Sequence, residues 1–186
     1  MFKLGIIGTA GRREDGYRIM PEHFEAMEQL VLLYIKKLNF SVEDVTFVSG
    51  GAAWADHVAV DLHLSGYGKG LMLYLPCGFE GNKFVGNGSP YDPAPIANYY
   101  HTLFSRKVYC TDFRSRHDIA NAIESRAVVE YGTGFKGRNT KIAKAVDGLM
   151  AFTFGEGDTP KAGGTKDTWD KCKAEYKVHI PLGKVL

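Results

Sequence analysis

Short apolar runs, each followed by a helical pattern, constrain this chain's fold more than any other feature. Phe2–Gly8 (FKLGIIG) is apolar and stops at glycine. From Pro21, Phe24, Met27, Leu30, Val31, Tyr34 and Leu38 recur at three-to-four spacing, which predicts a helix with proline at its first position. Residues 45–48 predict a second strand, ending at Ser49-Gly50-Gly51. Residues 52–65 follow as a helix with Ala55, Val58, Ala59 and Leu62 on one face. Gly70–Leu75 (GLMLYL), 148–154 (GLMAFTF) and 177–181 predict three further strands, and 96–104, 117–131, 138–146 and 165–176 predict helices. This alternation calls for βαβ units, hence an α/β fold on a parallel sheet.

Nothing in the 186 residues marks a linker or a repeat, so a single domain over 1–186 is expected. Residues 78–95, rich in Gly, Asn and Pro, read as a long loop. They open an insertion of about 76–135, too poor in apolar residues to build its own core. That insertion is aromatic-rich: Tyr91, Tyr99, Tyr100, His101, Phe104, Tyr109 and Phe113 fall within it. A lid, a homo-oligomer interface, or packing onto the domain all fit, and the sequence leaves the three open.

Lys plus Arg at 23 against Asp plus Glu at 21 gives a formal charge of +2, which disfavours a general nucleic-acid binder. No apolar run reaches the ~20 residues of a membrane helix, and the first residues are not a signal peptide, so no membrane partner is expected. Three cysteines without C-x-x-C spacing imply neither a disulfide framework nor a zinc site, and the expected setting is cytoplasmic. Cys77 reads as a structural thiol. His57, Asp61 and His63 share a helical face that reads as surface, and no metal or cofactor is expected.

The 22 glycines are more informative. Three clusters adjoin predicted strand ends or helix starts: Gly8-Thr9-Ala10-Gly11-Arg12-Arg13, Gly50-Gly51-Ala52-Ala53-Trp54-Ala55-Asp56, and Gly155-Glu156-Gly157 with Gly163-Gly164-Thr165. A parallel sheet gathers such turns at its carboxyl edge. There glycine admits a ligand close to the backbone, and helix N-termini attract anions. A phosphate-bearing ligand is the expectation. Neither G-x-x-x-x-G-K-[ST] nor G-x-G-x-x-G is present, which disfavours ATP hydrolysis and dinucleotide redox chemistry. A Ser-His-Asp hydrolase is set aside because G-x-S-x-G is also missing.

Arg12 and Arg13 can pair with phosphate bidentately. Arg138, at a predicted helix start, opposes the helix dipole and is better explained by an anionic ligand. Asp56, one turn into its helix, can hold ribose hydroxyls or act as a general acid or base. Glu156 and Asp158 are the loop carboxylates available to a glycosidase-type reaction.

In order, Ile7-Gly8-Thr9-Ala10-Gly11-Arg12, Val48-Ser49-Gly50-Gly51-Ala52-Ala53-Trp54-Ala55-Asp56, Gly137-Arg138-Asn139-Thr140, Val146-Asp147-Gly148-Leu149-Met150-Ala151-Phe152 and Gly163-Gly164-Thr165 resemble the SLOG superfamily, most closely its YspA/YpsA-related branch. The resemblance covers roughly 2–75 and 134–182. It implies a Rossmann-like nucleotide binder, akin to LOG phosphoribohydrolases, nucleotide sensors and DNA-processing protein A. Gly51, Ala52 and the helix opened by Trp54–Asp56 would then line the ligand, Arg138 and Asn139 would enter the cleft, and Gly163, Gly164 and Thr165 would hold phosphate. Two departures stand out. Thr168 occupies the place of the catalytic Glu of the LOG pattern P-G-G-x-G-T-x-x-E. Trp54 replaces a glycine of the branch, which would bring an aromatic face to the ligand edge.

The leading expectation is therefore binding of a nucleotide or nucleotide-derived molecule, as a sensor or in sequestration. An N-glycosidase acting on nucleoside monophosphates through Asp56 and Glu156 comes second, and DNA binding third.

Overall fold

The computed structural model describes residues 1–132 and 134–186. In chain order these form β1 (Phe2–Gly8), α1 (Asp15–Arg18), α2 (Pro21–Lys37), β2 (Val45–Ser49), α3 (His57–Leu64), β3 (Gly70–Leu75), β4 (Gly78–Glu80), β5 (Lys83–Val85), α4 (Ala94–Tyr109), α5 (Arg114–Glu124), β6 (Val128–Tyr131), α6 (Gly134–Ala145), β7 (Gly148–Thr153), α7 (Gly164–Lys171) and β8 (Tyr176–Pro181).

Six strands make one all-parallel sheet in the order β6-β3-β2-β1-β7-β8. The period-two alternation of the strands divides their side chains between two apolar layers. Leu4, Ile6, Phe47, Leu71, Leu73 and Phe152 face the larger layer, packed with α2, α3, α4 and α5. Ile7, Val48, Tyr74, Leu149 and Ala151 face the smaller one, with Ile142 of α6 and Trp169 of α7. Topology dictates this division. The chain moves from β1 through β2 and β3 to β6 in one direction, then returns across the sheet to β7 and β8. Right-handed crossovers therefore place α6 and α7 on the opposite face. Phe47, Phe152, Leu4 and Ile6 have essentially no exposed surface, each worth about 1.5–3 kcal/mol of burial.

The α/β fold with a Rossmann-like parallel sheet is as expected, but the insertion is not. Residues 128–131, expected within a helix, are the edge strand β6, and the preceding helix ends at Glu124. The β-branched Val128-Val129 pair decides this locally, and pairing with β3 completes it. The expected loop 78–95 contains a small antiparallel hairpin, Phe79 opposite Phe84. Phe104, Ile119 and Ala122 of α4 and α5 sit in the main core. The stretch 76–135 thus supplies a strand and two helices to the central architecture. Thr133, inside it, lies outside the described residues. Among the described residues, no helix is long and apolar enough to cross a membrane.

Candidate functional site

The strand order reverses between β1 and β7, and an open parallel sheet parts there into a crevice. A cleft of about 700 Å³ lies at this point. Its walls include Gly8 and Thr9 after β1, Ala52 and Asp56 after β2, Arg138 and Asn139 on α6, and Gly163, Gly164 and Thr165 at the start of α7. Arg12 also lines it. Four separate chain segments that the sequence singled out therefore meet in one cavity.

Each wall is fixed by local chemistry. Thr9 is nearly buried; its hydroxyl donates to Asp15 Oδ2 at 2.7 Å and accepts the Gly11 N–H. Asp15 also meets Lys161 Nζ at 2.5 Å, which joins the loop after β1 to the loop after β7. Thr165 Oγ1 donates to the Gly8 carbonyl at 2.9 Å, seating α7 against the end of β1. Asn139 Nδ2 donates to the Gly164 carbonyl and to Asp167. Gly50 leaves room for the two charged side chains: a Cβ there would stand 2.7 Å from Asp56 Oδ2 and 2.9 Å from Arg138 Cδ and would displace them.

Asp56 is only 4% exposed, and it accepts the Gly50 N–H at 3.0 Å. Burial pushes its carboxyl pKa up; Arg138 and the backbone N–H groups of Gly50, Gly8 and Ala52 oppose this. Arg138 is half-buried. Burial lowers its pKa, Asp56 opposes, and nearby Arg12 lowers it further. Its guanidinium donates to the Gly50 carbonyl and to Asn139 Oδ1. Arg12 and Arg138 both sit over the Phe135 ring, at 4.9 and 5.3 Å, and Arg12 also over Tyr100 at 5.2 Å. Among the described residues neither arginine has an ion-pair partner, whereas Lys161 has one in Asp15. Two like charges held near one ring are an arrangement that an anion would relieve.

Several expectations need correction. Trp54 does not present a face to the cleft: it is 3% exposed, its ring 4.8 Å from that of Phe104. Its φ of +62 is left-handed, which is why a glycine suits that position, and Gly11 leaves room for the indole. Glu156 is solvent-exposed and outside the cleft lining; Gly11 and Gly50 are buried and also outside it, and Gly51 lines a small adjoining recess. Arg138 lies one turn inside α6 rather than at its start, so the dipole argument carries less weight than its missing partner. Asp56 closes a short 3₁₀ turn and precedes α3, instead of lying within a helix. His57, read as a surface residue, is wholly buried, its ring 5.2 Å from Phe104. Cys77 is half-buried, with burial and Asp92 pushing its thiol up to about 11, which leaves it a poor nucleophile.

Asp15, Lys161, Phe135 and Thr153 also line the cleft and were not singled out. Phe135, just before the Gly-Arg-Asn run, carried the one usable signal, an aromatic beside an arginine.

No family model matches the chain. It is 37% identical over 182 residues to an uncharacterized protein of Acanthamoeba polyphaga mimivirus, an alignment covering 97% of this chain and 96% of the viral one. The chain belongs to the same family as that viral protein. With 97% of the chain aligned, the family likeness extends through 76–135 as well as the sheet.

Proposed function

We propose that the chain is a SLOG-type protein that binds a nucleotide or nucleotide-derived small molecule in the cleft at the switch point. One observation carries this reading: Arg12 and Arg138 share the Phe135 ring beside the N-terminus of α7, with the buried Asp56 carboxyl acting on both and, among the described residues, no carboxylate in salt-bridge contact with either. A phosphate would answer both guanidiniums and the first N–H groups of that helix. Asp56 stands within the same walls to accept ribose hydroxyls, and Phe135 supplies a ring edge for a base. The volume suits a ligand of nucleotide size.

Asp56 also supports a second reading. A buried carboxyl with a raised pKa can keep its proton and act as a general acid toward a leaving base. The partner carboxylate is the weak point. Glu156 lies outside the cleft, and Thr168, where the LOG pattern has Glu, is buried with its hydroxyl on the Gly164 carbonyl. Binding without hydrolysis is accordingly the favoured reading. Incubating the protein with nucleoside 5′-monophosphates and following free base separates the two. Saturable binding with no base released is expected; steady release abolished by Asp56→Asn would establish the enzyme instead. Oligonucleotide binding that weakens steeply with salt would point to DNA.

A further inference from the structure

The wall after β2 is held from behind by a buried chain of hydrogen bonds that starts in the 76–135 stretch. Ser105, Ser115 and His101 are at most 1% exposed. Ser105 Oγ lies 2.7 Å from Ser115 Oγ, Ser115 Oγ 2.9 Å from His101 Nδ1, and His101 Nε2 2.9 Å from the Gly51 carbonyl. A carbonyl can only accept, so Nε2 carries the hydrogen and Nδ1 accepts from Ser115. Ser115 is in turn pinned by its own N–H, which donates to Ser105 Oγ. The relay runs in one direction, serine to serine to imidazole to carbonyl, each bond polarising the next. Burial holds the His101 pKa down to about 3, so the imidazole is neutral as this pattern requires.

Gripping that carbonyl has a consequence on the cleft side. The Gly51–Ala52 peptide is planar and trans, so fixing its C=O aims its N–H the opposite way. Ala52 lines the cleft, and its N–H is one of the groups that hold the Asp56 carboxyl down. Gly51, at φ +63, has little intrinsic preference for this orientation, so an external tether decides it. One turn beyond Ser115 on α5, Asp118 Oδ2 sits 3.5 Å from His57 Nε2, the residue after Asp56. The same helix therefore lies against both ends of the turn.

We infer that His101 is a positioning residue, through which the 76–135 stretch sets the backbone of residues 50–52 that holds the Asp56 carboxyl in the cleft. Its effect on ligand affinity rests on the nucleotide-cleft reading; its effect on the backbone does not.

The test uses the full chain with His101→Leu, His101→Gln and Ser115→Ala. Amide hydrogen exchange is followed at Gly50 and Gly51, whose N–H groups donate to Asp56 Oδ2 and Ser49 Oγ, against core amides of β1. His101→Leu should speed exchange at these two amides about tenfold beyond any change in β1. It should weaken binding of adenosine 5′-monophosphate by about tenfold, and His101→Gln, which keeps a donor, should recover part of both effects. If His101→Leu does not fold, Ser115→Ala decides by the same readout, with a smaller effect in the same direction. Folded variants that melt lower yet keep Gly50 and Gly51 as protected as in the wild type would overturn the proposal. Should the wild-type protein bind neither adenosine 5′-monophosphate nor inorganic phosphate, the nucleotide reading fails while the exchange result still decides this one.

Discussion

The turn after β2 and the turn after β7 both lead into a helix, and each has one carbonyl gripped by a histidine from another element. In the first, His101 of α4 holds Gly51. In the second, His179 of β8 accepts from Thr153 Oγ1 at 2.8 Å and donates through Nδ1 to Gly157 at 2.6 Å. The surroundings differ. Behind His101 stand two buried serines and the rings of Phe84 and His57. Beyond Gly157 the chain is solvent-exposed through Thr159, and Lys161 crosses to Asp15 in partial contact with water. The His101 relay is buried from end to end, whereas the His179 pair is buried at Thr153 and opens to water at Gly157, where water can replace a lost partner. The β2 turn is thus tethered out of reach of water, and the β7 turn is the side open to it.

Removing the packing behind the β2 turn should have the largest effect. Trp54→Ala should cost about 3 kcal/mol or more in denaturant unfolding. Trp54→Gly should cost about 1 kcal/mol less than Trp54→Ala, because glycine tolerates the left-handed backbone there. Equal losses would remove strain from the account.

Acid should act on the same turn. The folded pKa of His101 is held to about 3, below its ordinary 6.5, so its contribution to stability is complete above 6.5 and falls as pH drops toward 3. Between pH 6.5 and 5 this one group predicts a loss of up to roughly 2 kcal/mol. His57 and Arg116 are its charged or titratable neighbours, and Asp118 lies beyond His57. Two other histidines with lowered pKa, His23 and His63, add to the slope. The informative quantity is the difference from His101→Gln, which should be flatter in thermal melts across that range.

The β7 side should respond less. Lys161→Met leaves Asp15 with the Thr9 hydroxyl and should cost about 1 kcal/mol. His179→Gln should cost a few tenths of a kcal/mol, since water can reach the released Gly157 carbonyl. A loss from His179→Gln as large as that from His101→Leu would erase the distinction between the turns.

How much of this was legible in the sequence follows the range of the interactions. Strands that carry their own apolar period, β1, β2, β3 and β7, were visible, as were β8 and the glycine turns after β1, β2 and β7. β6 was not, because Val128–Tyr131 is a half-exposed edge strand that β3 alone specifies. Gly8, Ala52, Asp56, Arg138, Asn139 and Gly163–Thr165 do converge, since parallel topology sends strand ends to one edge. Trp54 misled because an aromatic in a glycine turn has no local cue to which way it packs; that was decided by Phe104, fifty residues along the chain. Lys161 and Asp15 escaped notice for the same reason, each being an ordinary loop charge until the fold pairs them across the cleft.

The most direct measurement is calorimetric titration of the common ribonucleoside 5′-monophosphates into the wild-type protein and Arg138→Met. The account predicts a single saturable site for at least one of them, weakened about tenfold or more in Arg138→Met while the fold is kept. No saturable binding by any of them, or binding that Arg138→Met leaves unchanged, would contradict it.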